Sequence, residues 1–171
     1  MLNQMKKLGI GIESKMQGMA NWDIEFEVPG KPQALKRHRS FQKGEFRGTY
    51  DPSKGDKADF LSKAMENKPI VPFDEALFVK LIFYFHRPKS HFRTGKNAHI
   101  LKDNAPINHT GTPDADNLGK FVCDSLNGVF WRDDSIISEL SVSKVYDPVP
   151  RIQIQVLRLN KLQVCIDNNL L

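Results

Sequence analysis

The chain of 171 residues is 40% hydrophobic and 26% charged, the proportions of a soluble globular protein, and it is long enough to bury a core as one domain. No run reaches the roughly 20 apolar residues that span a bilayer, and the first residues break off too soon for a secretory apolar region. Two cysteines without C-x-x-C spacing argue against a disulfide framework or a zinc site, and the net charge of +5 decides little alone, so a cytoplasmic protein is expected.

Residues 1–20 show little periodicity and are expected to be a disordered lead; the domain is placed at 21–160, with 161–171 as a tail. WDIEFEV at 22–28 alternates apolar and polar residues, which predicts a half-buried strand ended by Pro29 and Gly30. The following stretch carries Lys31, Lys36, Arg37, Arg39, Lys43 and Arg47, with Phe41 and Phe46 between them. Such a basic loop with interleaved aromatics can track a nucleic-acid backbone and stack on an unpaired base. The plainer alternative is a solvated hairpin whose phenylalanines anchor it to the core.

Asp51-Pro52-Ser53 reads as a helix start, and Ala58, Leu61, Ala64 and Met65 recur at helical spacing until Asn67 and Pro69. LFVKLIFYFH at 77–86 is dense in β-branched and aromatic residues, which predicts a well-buried strand. Residues 89–112 form a long polar stretch with Arg93, Lys96, Lys102, His91, His99 and His109; length without evident structure marks a functional loop or plain flexibility. His109 is close in sequence to the acidic run that follows, although a turn histidine without a metal role is the commoner case.

That run, PDADNLGKFVCDSLNGVFWRDD at 113–134, organises the chain. Asp114 and Asp116 precede an amphipathic helix, and Asp133 and Asp134 follow it, just past Trp131, expected to be a core aromatic. Leu118, Phe121, Val122 and Ser125 or Val129 share one helical face, and Asp116, Lys120 and Asp124 share the opposite one. If the chain turns back after the helix the acidic clusters meet, and a hard divalent cation relieves their repulsion, so the pattern predicts a metal site for phosphate chemistry. The fifth and twelfth positions of an EF-hand loop begun at Asp114 are Leu118 and Ser125, which excludes that motif. A metal-diphosphate site of a sugar-nucleotide transferase would need a larger domain.

Beyond the helix, ISELSVSKVY and RIQIQVLRL alternate as two strands joined at 147–150 by a hairpin-type connection. The elements together predict an α+β fold: one small domain with a mixed or antiparallel sheet and two main helices. Between Lys31 and Lys57 eight Lys/Arg face three Asp/Glu, and between His86 and Asn104 five face one. Basic flanks round an acidic centre suit a polyanion held by its phosphates and cut at one of them.

The PDADNLGK run, the apolar helix, the Gly turn and the W-x-D-D element resemble the RusA-type Holliday-junction resolvases, a family of phage and prophage endonucleases. Likeness is strongest over 112–137 and weaker over 24–159. The resemblance implies a Mg2+-dependent endodeoxyribonuclease, with Mn2+ as a substitute ion, that resolves branched double-stranded DNA by paired cuts in recombination and repair. It implies metal binding by Asp114, Asp116 and Asp134, with Asp133 able to share the last role, and assistance by Lys120. DNA contacts are expected from Lys31, Lys36, Arg37, Arg39, Lys43, Arg93 and Lys96. One centre per chain and two matched cuts call for a two-fold homodimer. The competing expectation is a branched-DNA-binding module whose carboxylates are structural, since aspartates commonly cap helices.

Overall fold

A computed structural model of the protein describes residues 22–160; the expected lead at 1–20 and tail at 161–171 lie outside the described residues. Among the described residues six strands and two α-helices follow one another as β1 (Ile24–Pro29), β2 (Arg39–Lys43), β3 (Phe46–Tyr50), α1 (Lys54–Ala64), β4 (Leu77–His86), α2 (Ala115–Leu126), β5 (Ile137–Asp147) and β6 (Arg151–Arg158). The main sheet has the order β1-β6-β4-β5, with β4 antiparallel to β6 and parallel to β5, while β2 and β3 form a separate antiparallel pair. The fold is the expected α+β arrangement with a mixed sheet and two helices.

The most apolar strand takes the interior place. Leu77, Val79, Leu81 and Phe83 of β4 are fully buried on the helix side of the sheet, beside Ile152, Ile154 and Val156 of β6 and Phe26 and Val28 of β1. This overturns the expected hairpin between the last two strands: β4 lies between β5 and β6, so the connection at 147–150 crosses the end of β4, a span of about 10 Å. An all-apolar strand gains most from neighbours on both edges, and the alternating patterns of β5 and β6 suit flanking positions equally well.

Helix α2 buries Leu118, Phe121, Val122, Ser125 and Leu126, which includes the face read from the sequence, and Phe121 meets Phe60 of α1 edge-on at 5.6 Å. In α1 the buried residues are Phe60 and Ala64, whereas the expected Ala58 and Met65 are exposed: the helix presents an aromatic that the Ala/Leu/Met spacing did not single out. Gly128, at φ +73°, ends the turn after α2, and Trp131, fully buried as expected, is framed by Phe73 N–H donating to Phe130 O (3.0 Å) and Arg132 N–H donating to Phe73 O (2.8 Å). The chain thus reverses on a rigid aromatic plug.

Residues 89–112 are more ordered than their composition suggested. Short 3-10 turns at Lys89–His91 and Gly95–Asn97, a bridge between Phe92 and Leu101, and an Arg93–Asp103 ion pair at 3.0 Å fold the loop on itself. Truncating the central ring of the helix layer, Phe121→Ala, is expected to cost about 3–5 kcal/mol, read from the urea midpoint; a loss under about 1 kcal/mol would place α2 outside the cooperative core.

Candidate functional site

Helix α2 has one buried and one open side, and the acidic residues occupy the open one. Gly119 lies against β5 so closely that a Cβ there would meet Val142 Cγ2 at 3.1 Å and Leu140 Cδ2 at 3.3 Å. That contact seats the first turns of the helix on the sheet, with Asp116 and Lys120 facing outward, both more than half exposed and 3.5 Å apart. Asp114 occupies the N-cap position, yet its side chain makes no capping hydrogen bond. Its carboxylate is not spent on the helix, contrary to what a purely structural cap requires.

The two aspartates after the turn differ. Asp133 caps the 3-10 turn Asp134–Ile136 by accepting from Ser135 N–H at 2.9 Å, and this hydrogen bonding holds its carboxyl below the ordinary range. Asp134, exposed, carries no such commitment in the turn. Burial first, and then the charges of Asp134 and Asp124, push the buried Cys123 thiol up to about 12. Among the described residues no three His, Cys, Asp or Glu side chains are gathered closely enough to hold a metal ion. In donor chemistry, the exposed carboxylates of Asp114, Asp116 and Asp134 fit a hard divalent cation.

Base surrounds this acid. Leu35 N–H donates to Asn117 O (3.1 Å) and Lys36 N–H to Ser53 Oγ (2.8 Å), which ties the basic segment to the first turn of α2. Lys57 pairs with Asp51 at 2.6 Å and stands 3.7 Å from Asp124, and the hydrogen bond from Lys57 chiefly lowers the pKa of Asp51. Among the expected DNA contacts, Lys36 is paired with Asp56 and Arg93 with Asp103. Lys31, Arg37, Arg39, Lys43 and Lys96 are exposed and carry no ion pair within the described residues. The structure brings the start of α2 and the segment at 35–36 together; Lys96 lies in a turn of the later loop.

One residue at the site escaped the sequence reading. Lys144 of β5 donates from Nζ to Gly111 O (2.6 Å) and Pro113 O (2.8 Å), holding the turn that delivers Asp114. The signal was present: Leu140, Val142 and Tyr146 share its side of the strand, so a lysine breaks an otherwise apolar row. His109 lies in the same corner, with its ring stacked on Phe85 at 4.0 Å and tilted against Tyr146 at 5.0 Å. Its Nδ1 is buried without a partner among the described residues, and its main chain donates to Lys144 O at 3.0 Å.

Burial first, and then the nearby Lys144 ammonium, lower the His109 pKa from its ordinary 6.5. A lowered folded pKa means that the stabilisation is complete above the unfolded value and is lost as the pH falls below it. The urea midpoint is therefore expected to decline between pH 7 and pH 5.5, and His109→Phe, which keeps a ring against Phe85, is expected to flatten that decline. An unchanged slope in the variant would remove His109 as its source.

The family described as endodeoxyribonuclease RusA matches residues 29–157. The chain is also similar to the uncharacterized protein YqaN of Bacillus subtilis (strain 168), at 30% identity over 136 residues, covering 78% of this chain and 94% of that protein.

Proposed function

Because this chain belongs to the RusA endodeoxyribonuclease family, we propose that it resolves Holliday junctions and related branched DNA by metal-dependent cleavage in recombination and repair. The observation that carries the proposal is the Asp114 carboxylate, which sits at a helix start without capping it, one turn from an exposed Asp116–Lys120 pair. Asp114, Asp116 and Asp134 are the residues proposed to hold Mg2+, or Mn2+ in its place; Asp133 is the less suitable donor because its oxygen is engaged by Ser135. A cation bound there supplies an activated water and neutralises charge on the scissile phosphate.

The chain's own groups do the rest. Lys120 presents a fixed positive charge beside the phosphate, where a pre-positioned charge acts on the transition state more strongly than the same charge in water. Lys144 holds the approach to Asp114, and the free cations around α2 hold the DNA backbone. Two symmetric cuts are proposed to come from a two-fold homodimer, each subunit placing one site. Among the described residues no helix is long and apolar enough to cross a membrane; the proposed substrate is cytoplasmic DNA, whether of chromosome or phage.

A labelled four-way junction incubated with Mg2+ is expected to acquire paired nicks that EDTA prevents. Asp116→Asn and Lys120→Ala should each slow cleavage by about a hundredfold or more while junction binding persists. A protein that shifts the junction without cutting it, with or without Mg2+, would be a binding module and would end the nuclease proposal.

Removing both Arg37 and Arg39 charges with glutamine is expected to weaken binding and to reduce the slope of log affinity against log salt by up to about 1.8. An unaltered slope would exclude phosphate contact by this pair.

A further inference from the structure

The hairpin of β2 and β3 is not part of the main sheet, and it shows two unlike faces. Its register pairs Arg39 with Tyr50, Phe41 with Gly48 and Lys43 with Phe46. All of these project on one face because side chains alternate along each strand, and Ser40, Gln42, Arg47 and Thr49 take the other. The first face therefore carries three rings and two cations. Phe41, Phe46 and Tyr50 are 44%, 65% and 46% exposed, and Phe41 lies 6.0 Å from Phe46 and 6.3 Å from Tyr50 between ring centres. Gly48 makes the row possible, since a Cβ there would come within 2.8 Å of the Phe41 ring.

Rings that served only to anchor the hairpin would turn toward the core. These face solvent instead. Arg39, Lys43 and Arg47 are without ion pairs among the described residues. The segments on either side of the hairpin are fastened beside α2: Leu35 N–H bonds to Asn117 O before it, and after it Asp51 pairs with Lys57, which also stands near Asp124. A five-residue strand reaches about 17 Å, long enough to present its three rings to more than one base.

We propose that this hairpin face is a stacking platform for bases left unpaired at the branch point of DNA, and that it, rather than the carboxylate site, supplies preference for branched over linear duplex. Positive charge complements the backbone, and exposed rings offer bases what duplex stacking has lost. The inference rests on the junction reading above.

The test compares binding in EDTA of the full chain to a four-way junction, to the same junction with abasic residues at the branch point, and to linear duplex. Phe41→Ala with Phe46→Ala is expected to weaken junction binding about 10-fold or more while duplex binding and the salt slope hold. The abasic junction should bind the unaltered protein as weakly as the variant binds the intact junction, and combining both changes should add little further. Phe41→Trp with Phe46→Trp should retain the preference; Phe41→Leu with Phe46→Leu should lose it.

Independent, additive losses would overturn the proposal, as would full retention by the leucine variant, which would point to a merely apolar contact. A change in the sedimentation of DNA-free protein caused by the alanines would identify the face as an interface between copies and overturn it as well. If the unaltered protein shows no preference for the junction, the junction reading itself fails along with the platform; a preference that survives the alanines defeats the platform alone. The urea midpoint, expected to stay level for such exposed rings, guards against loss by misfolding.

Discussion

One-sided burial of α2 governs this molecule. Leu118, Phe121, Val122 and Leu126 are locked between the sheet and α1, and Gly119 removes the side chain that would hold the helix off β5. Once that side is fixed, helical geometry leaves Asp116, Lys120 and Asp124 no direction except outward. Orientation of the charged groups is thus dictated by apolar packing, which is insensitive to salt and to the state of any ligand.

The same packing explains why acid can persist at the centre of a basic protein. Asp51 and Asp124 are answered by Lys57, Asp56 by Lys36, and Asp133 by main-chain N–H, so these carboxylates serve local structure. Asp114 and Asp134 carry no comparable structural duty, and Asp116 has only a 3.5 Å surface contact with Lys120, an interaction of a few tenths of a kcal/mol. The residues with the least structural employment are those proposed above to hold the cation.

Much of this was legible because it depended on local period. The buried strand β4, the two-sided helix α2, the plug at Trp131 and the acidic groups on either side of the helix follow from spacing alone. Strand order did not: β5 and β6 each look like hairpin partners, and only competition for the place beside β4 separates them. Lys144 was hidden for a related reason, since its partners are carbonyls more than thirty residues away and no side-chain motif announces them. The hairpin at 39–50 was legible in composition, but the division of its rings and polar groups between two faces depends on a register that composition does not contain.

The edge of β5 carries a last consequence. Asn108 bridges to Val145, His109 N–H reaches Lys144 O, and Tyr146 N–H donates to Ile107 O, so three consecutive residues of the preceding loop are sewn onto the strand before the chain arrives at Asp114. Upstream of this seam the stretch from 91 to 102 folds largely on itself, and it meets β5 where the His91 ring stands edge-on to Tyr146 at 4.7 Å. Changes of length or charge within that stretch are thus buffered before the chain reaches Asp114, whereas insertions past Asn108 would break the seam that delivers it.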